Sequence, residues 1–547
     1  MKIGILGNFI HKTSPKSLVT GFHVATESLA FNMFRYSRAE AFQCLCSPGS
    51  EQESVLREWA QKSGDRGPII RCVSEYDALF QPEQLADVDL LHSFKENALP
   101  LLSLREALPT HVPIVFTMHC LADQHLMSEV FFPLSFMPFH PCDAVICTSR
   151  AVQEAIGRML DRFEAAWEGR FHDRQRVQLR HIPLGVDTNA MRPLDQATCR
   201  AKLGIPLHAF VILWFGRFSE LYKADLFPLL HVFAQLLRMK PNAQLRLLLV
   251  GSEGKGADDI SRLRDRIQSM NLQIHTDIRL SHEIPDKATL YSAADVFTSP
   301  VDNIQETFGL TPIEAMACGT PQVVSDWDGY RDTVVHGQTG FLIPTAWCDC
   351  MGDVSSLSLF PESYPKRRDL HRLLSTKSTA VDCAAYLQAL LWLFEHPQER
   401  ASMGAVSRER ACDLFDIRKT VSATDQLWQE LIQQAQRETS HQQAYPFHLT
   451  DYCADFRGYP SRWLDDSTVL TITEFGLQPD QDSVYWVPEV RGLREASLFP
   501  AVLRLFRQEK NCSISQVIKA FPNDAPDQIR RCVMFLYKYD AVCLTDT

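Results

Sequence analysis

The segment Glu306-Thr-Phe-Gly-Leu-Thr-Pro-Ile-Glu314, continued by Ala-Met-Ala-Cys-Gly-Thr-Pro, sets two carboxylates on either side of a glycine turn. Residues 293–300 read as a buried strand and residues 310–318 as a helix that Gly319-Thr320-Pro321 stops, so Gly309 stands at the helix entrance. Free amides and the positive end of the helix dipole suit a diphosphate there, and the missing side chain allows close approach. Glu306 falls in the loop before the helix and Glu314 one turn into it, so they need not face the same atom. One can meet sugar hydroxyls and the other a ribose. A single carboxylate at a helix start often does no more than complement the dipole, so the surrounding residues must decide.

Gly216-Arg217 closes a second strand candidate, and Lys223 follows six residues after the arginine, before an apolar helical run over residues 227–237. An Arg fork beside a Lys point charge can neutralise a diphosphate leaving group, although such a pair alone is more often solvated surface. Gly21 lies in Thr20-Gly21-Phe22-His23, just ahead of an amphipathic helix over residues 24–34. Its missing side chain allows backbone approach to a phosphate, with a plain helix-entry turn as the competing reading. His119 closes the strand at residues 114–118, where a lone histidine is ordinarily a satisfied polar group.

These residues need a scaffold of strand exits. Strand candidates at residues 3–6, 42–46, 90–92, 114–118, 144–147 and 177–182 alternate with helical stretches, which implies a parallel sheet with right-handed crossovers. A second series follows at residues 210–216, 245–250, 293–300, 322–325 and 341–343. Two tandem Rossmann-like α/β domains are predicted, joined near Pro193-Leu-Asp195, and open parallel sheets bind ligands at the carboxyl ends of their strands.

The Glu306 to Glu314 segment resembles the retaining GT-B glycosyltransferases of family four, whose motif is Glu, seven residues, Glu, with Phe-Gly-Leu inside it. Glu306, Phe308, Gly309, Leu310 and Glu314 match. The resemblance implies two domains facing across a cleft, with the nucleotide-sugar donor on the second and the acceptor mainly on the first. It also implies that Glu306 contacts the donor sugar, the Gly309-Leu310 amides the distal phosphate and Glu314 the ribose. The family carries Gly-Arg and then Lys-Gly where this chain has Gly216-Arg217 and Lys223-Ala224, a Gly-Gly where it has Thr20-Gly21, and a histidine of the donor pocket at His119. His181-Ile-Pro-Leu-Gly-Val-Asp187 is similar to the family's Pro-Asn-Gly-Val-Asp and is read as a turn entering the linker. Asp326-Trp-Asp328 is an Asp-x-Asp pair of the kind that binds metal in the other large glycosyltransferase fold. Here it stands where relatives carry Gly-Gly, and the diphosphate charge is already met by Arg217, Lys223 and a helix start. No metal or other cofactor is expected.

The domain assignment is residues 1–192, 193–436 and 445–547. Residues 355–369 look like an insertion, and helical periodicity resumes over residues 381–436, where the resembled fold closes the second domain and crosses back to the first. The last segment lies outside the resemblance. Strand-like residues 468–473 and 483–487, helices over 494–506 and from 524 to 539, a Ser513-x-x-Gln516 capping box and a strand at 542–544 weakly resemble a winged helix.

At 547 residues the chain exceeds one ordinary core, and its net charge of -11 argues against a protein built to neutralise nucleic-acid phosphates. Residues 441–547 carry 11 Lys or Arg against 14 Asp or Glu, so nucleic-acid binding is not expected there either. The 16 cysteines include no Cys-x-x-Cys pair, which points away from zinc ribbons and disulfide frameworks. Met1-Lys-Ile-Gly-Ile-Leu-Gly7 is too short for a signal peptide, and no uncharged run approaches the roughly 20 apolar residues of a membrane helix. A cytoplasmic protein is expected, with membrane contact at most peripheral. The aromatic stretch of residues 131–139 has buried loop packing as its default reading and an acceptor platform or membrane-touching lip as the sharper one.

The expected activity is a glycosyltransferase, a hexosyltransferase acting with retention on a UDP- or GDP-sugar, with the acceptor open. A peptide or protein docked by the C-terminal segment is the preferred acceptor reading. Two other classes stay in view: a non-catalytic nucleotide-sugar-binding scaffold, and a sugar-nucleotide epimerase or phosphorylase on the same fold.

Overall fold

The computed structural model describes residues 1–7, 9, 21–47, 49–63, 69–74, 78, 82–96, 98–108, 111–121, 130, 134, 137, 139–166, 176–220, 222–253, 259–352, 370–437, 453, 457, 461–478 and 494–545. The chain forms two compact units, Met1–Ala444 and Tyr445–Thr547.

The first unit holds two parallel sheets. Strands β1 Lys2–Leu6, β2 Ala41–Cys46, β3 Ile69–Ser74, β4 Leu90–Ser93, β5 Ile114–Met118, β6 Ala144–Cys147 and β7 Gln178–His181 lie in the order β3-β2-β1-β4-β5-β6-β7. Strands β8 Phe210–Phe218, β9 Leu245–Glu253, β10 Thr276–Leu280, β11 Val296–Ser299, β12 Gln322–Ser325 and β13 Gly340–Ile343 lie in the order β10-β9-β8-β11-β12-β13. Every pairing in both sheets is parallel. Helices covering both faces explain the near-continuous apolar runs: β2, β4, β5, β6, β11 and β12 are buried at every position. Each strand order reverses once, between β1 and β4 and between β8 and β11, and these reversals open the crevices where such sheets take ligands.

Two strands of these parallel sheets were not anticipated. β3 and β10 are the outermost strands on one side of their sheets, and they carry exposed Arg71 and Asp277 and half-buried Arg279. Such edges lack the apolar run that marks a buried strand. A short antiparallel pair, β14 Thr345–Ala346 with β15 Ala380–Val381, follows the second sheet.

The helices Cys383–Glu395 and Pro397–Leu414 close the second domain, and Ile417–Arg437 crosses back to the first, as the resemblance implied. The two crossings lie side by side, the Val186 amide donating to the Phe415 carbonyl and the Ile417 amide to the Val186 carbonyl, each at 2.9 Å. On the first domain the returning helix is pinned twice. Asp425 accepts from the Ser37 hydroxyl at 2.5 Å and the Arg38 amide at 2.8 Å, and the Trp428 indole donates to His92 Nδ1 at 3.0 Å.

That last bond fixes the His92 tautomer with its proton on Nε2, which faces the Thr117 hydroxyl at 3.3 Å. Burial, with the neighbouring His119 second, pushes the His92 pKa down to about 3 from 6.5. Because the folded value lies below the unfolded one, the stability at stake is complete above pH 6.5 and drains away as the pH falls towards 3. By pH 5 the loss is about 2 kcal/mol, and a protonated ring would also set a second donor against the indole. A His92→Gln variant, which does not titrate, should lose about 2 kcal/mol less than the parent between pH 7 and pH 5 in denaturant titrations. Equal losses would assign the acid sensitivity to other groups.

In the second unit β16 Val469–Ile472 lies between β17 Asn511–Ser513 and β18 Val542–Leu544, antiparallel to both. Helices Arg494–Glu509, Ile514–Ala520 and Pro526–Lys538 cover it, around a core that includes Leu470, Val502, Phe506 and Val533. The capping box is present: the Gln516 amide donates to Ser513 Oγ at 3.2 Å and the Ser513 amide to Gln516 Oε1 at 2.8 Å. The three-residue β17 is too short to show as an apolar run. The anticipated strand at residues 483–487, the insertion around residues 355–369, and Phe132 and Phe136 of the aromatic stretch lie outside the described residues. Among the described residues no helix is long and apolar enough to cross a membrane.

Candidate active site

Arg217, Lys223, Glu306 and the Gly309 turn lie at the carboxyl ends of β8 and β11, where the second sheet reverses. Arg217 is the next-to-last residue of β8, with Gly216 before it, one residue deeper in the strand than expected. Its Nε is buried and makes no hydrogen bond among the described residues, and its guanidinium carbon stands 5.7 Å from the centre of the Tyr222 ring. Burial works against the Arg217 charge, with Tyr222, Cys120 and Glu306 favouring it.

Lys223 arrives from the turn after β8 and Glu306 from the loop after β11, and the Lys223 ammonium donates to Glu306 Oε2 in a largely buried ion pair. Burial alone would lower the Lys223 pKa, but the adjacent Glu306 carboxylate outweighs it and holds the ammonium charged. Gly309 is the N-cap of the helix Leu310–Ala317, at φ 93°. A Cβ there would lie 2.1 Å from Tyr330 Cε1, so only glycine fits. The entrance is tight because Tyr330 is fully buried and its hydroxyl lies 2.9 Å from Ser299 Oγ. Phe308 is buried behind Gly309, in a cluster with Ile313, Met316 and, from the first domain, Ala25. Leu310 packs against that cluster.

Glu314 points away from Glu306. It is buried, and its two oxygens take the Lys287 ammonium at 2.5 Å and the Tyr291 hydroxyl at 2.9 Å. Two carboxylates eight residues apart thus take different partners, each with its own lysine. Lys287 and Tyr291 escaped sequence reasoning, since nothing in their spacing ties them to Glu314.

The first domain closes the site through His119. Its ring Nε2 lies 3.1 Å from the Phe94 carbonyl and its amide donates to Glu96 Oε1 at 2.7 Å, while its own carbonyl accepts from the Thr307 hydroxyl at 2.5 Å. Burial pushes its pKa down to about 4, so the ring is neutral at pH 7. Beside it Gln305 Nε2 approaches Cys120 Sγ at 3.1 Å. The loop carrying Glu306 is therefore tied to the first domain on both sides of the glutamate. Gly21 is the first residue of the helix Gly21–Tyr36, which also carries Ala25, and the preceding residues 10–20 lie outside the described set. The segment 181–187 is structural, since Val186 forms the crossing and His181 Nε2 lies 3.6 Å from Asp332.

The Asp-x-Asp pair divides. Asp326 pairs with Arg331 at 2.7 Å near the surface, whereas Asp328 lies within electrostatic reach of Lys223 and Glu306. Among the described residues no group of three or more His, Cys, Asp or Glu side chains is arranged to hold a metal ion.

Comparison with known proteins bears on the fold and on the second domain. Residues 195–352 match the family model of Glycosyl transferases group 1. The D-inositol 3-phosphate glycosyltransferase of Saccharomonospora viridis is 31% identical over 252 residues, covering 45% of this chain and 57% of that protein. The Kineococcus radiotolerans protein of that name is 31% identical over 258 residues, covering 46% and 52%. The chain thus spans about half the length of the curated relatives it matches. Among solved structures, HepE of Anabaena in complex with UDP superimposes with a TM-score of 0.52 at 18% identity, over 79% of this chain and 100% of HepE. Sucrose-phosphate synthase of Thermosynechococcus elongatus does so at 0.51 and 20%, over 79% and 99%. Such likenesses speak for the fold: the two facing sheets are a GT-B pair, and this chain carries a Glycosyl transferases group 1 domain at residues 195–352.

Proposed function

We propose that the protein is a retaining glycosyltransferase that moves a hexose from a nucleoside diphosphate to an acceptor hydroxyl. The observation that carries this reading is the meeting of the buried Lys223–Glu306 pair, the unpartnered Arg217 Nε and the Gly309 helix entrance at one strand-order reversal. Arg217, Lys223 and the Gly309-Leu310 amides stabilise the diphosphate as the C1–O bond breaks. The acceptor oxygen bonds to C1 on the face the diphosphate leaves, and its proton passes to the departing phosphate. Neutral His119 and Glu306 orient the sugar, Glu314 with Lys287 holds the ribose, and the cleft excludes water. With these cations in place the reading needs no metal.

The Tyr445–Thr547 unit lies beyond the matched region, and its slight acidic excess suits a protein surface better than a nucleic acid. We assign it the docking of a peptide or protein acceptor, through a winged-helix-like arrangement, and place the whole protein in the cytoplasm.

Calorimetric titration with UDP, UDP-glucose and the GDP and ADP counterparts tests donor binding, and release of nucleoside diphosphate tests turnover. UDP-glucose is the first choice because the Anabaena protein has been solved with UDP and glucose. Glu306→Ala should slow donor turnover at least a hundredfold while nucleotide affinity stays within about threefold. Glu314→Ala should weaken nucleotide affinity about tenfold or more, because Lys287 and the Tyr291 hydroxyl lose their partner. Equal losses in both variants would end the division of roles. Conversion of the donor without any acceptor would favour an epimerase, and a requirement for phosphate a phosphorylase.

A further inference from the structure

Asp328 is the residue of this site that the proposed reaction does not use. It belongs to the segment that stands where the resembled family carries a Gly-Gly loop, and its backbone lies at φ 38°, in the region that favours glycine. A side chain is strained in that region, least for Asn and Asp. The next residue cannot vary in the same way, since a Cβ on Gly329 would lie 2.5 Å from Phe308 Cα. The strained backbone therefore holds Asp328 against the loop that carries Glu306, Phe308 and Gly309.

Both Asp328 carboxyl oxygens are buried, and neither makes a hydrogen bond of full geometry. The Gly329 and Tyr330 amides lie near enough to favour the charge without completing such a bond. Burial and then the nearby Glu306 carboxylate push its pKa well above the usual range, while Lys223 draws it back. Lys223 is already committed to Glu306, so it leaves the second carboxyl unsatisfied. Buried polar atoms without partners are costly and rarely kept without use. What completes this group must bring hydrogen-bond donors, be small enough to sit beside Glu306, and add no negative charge to two neighbouring carboxyls. Hydroxyls of a neutral sugar meet all three conditions.

We propose that Asp328 is a donor-specificity residue that binds free hydroxyls of the transferred sugar, selecting neutral hexoses over uronate donors. The inference rests on the glycosyltransferase reading, which places the sugar at Glu306. Binding of UDP, UDP-glucose and UDP-glucuronate to the full chain tests it by calorimetry, in the parent and in Asp328→Gly and Asp328→Asn. Both substitutes tolerate the positive φ, so both variants should fold, with unfolding midpoints equal to or above the parent's. UDP affinity should stay within twofold. Affinity for UDP-glucose should fall at least tenfold in Asp328→Gly, and the preference for UDP-glucose over UDP-glucuronate should shrink at least tenfold in both variants. If both variants keep the parental UDP-glucose affinity and preference, Asp328 has no part in sugar recognition. If the parent binds UDP but gains nothing from the glucose, the assignment of Asp328 falls while the nucleotide site stands. Should the parent bind no nucleotide or sugar nucleotide of the UDP, GDP and ADP series, the glycosyltransferase reading itself fails and takes this proposal with it.

Discussion

Lys223→Met should reduce donor turnover by two to three orders of magnitude and destabilise the protein by about 3 kcal/mol. The methionine fills a similar volume, so the effect isolates the charge. Without the ammonium, the Glu306 carboxylate is left unpaired in a largely buried place near Asp328. The departing diphosphate loses its point charge at the same time. The two losses separate in a double variant: Lys223→Met with Glu306→Gln removes the unpaired charge and should regain most of the stability, but none of the turnover. Denaturant titrations give the first quantity and release of nucleoside diphosphate the second. If turnover returned with stability, the lysine would be holding the loop and not acting on the leaving group.

Gly309→Ala should be still more severe for the fold of the site. The residue sits at φ 93°, outside the range an alanine accepts without strain of roughly 1–3 kcal/mol. Its new methyl would also stand 2.1 Å from Tyr330 Cε1. Tyr330 cannot swing aside cheaply, being fully buried with its hydroxyl against Ser299. The helix entrance must move instead, so destabilisation of about 4 kcal/mol and nucleotide binding weakened at least a hundredfold are expected. Truncating the ring in a Gly309→Ala, Tyr330→Ala double variant removes the clash but leaves the backbone strain. The coupling between the two sites should therefore be about 1–3 kcal/mol in favour of the double variant. A single variant within 1 kcal/mol of the parent would contradict the close packing at this entrance.

Strands buried on both faces, such as Ile114–Met118 and Gln322–Ser325, could be read in advance, because full burial forces an unbroken apolar run. Ile69–Ser74 and Thr276–Leu280 were missed because they lie at sheet edges, where charged residues replace that run. The site divides along similar lines. Gly309, Glu306 and Glu314 fall within one strand-loop-helix unit, and Arg217 and Lys223 within another, so local spacing is enough to mark them. Lys287, Tyr291 and Tyr330 carry no such mark. Their places depend on which helix packs beside which strand exit, as when Tyr291 reaches Glu314 from 23 residues away.

The sequence by itself determined two parallel α/β domains, a helix entrance built around Gly309, and the set of charges available to a diphosphate. Burial periodicity, turn geometry and capping are properties of neighbours along the chain, and they can be read there. Only the tertiary structure decided how those charges pair: Lys223 with Glu306 across 83 residues, Glu314 with Lys287, and Asp328 left buried without a complete partner. The energy of a buried carboxylate is set by what lies within a few ångströms of it, and those distances exist only once the sheets have formed.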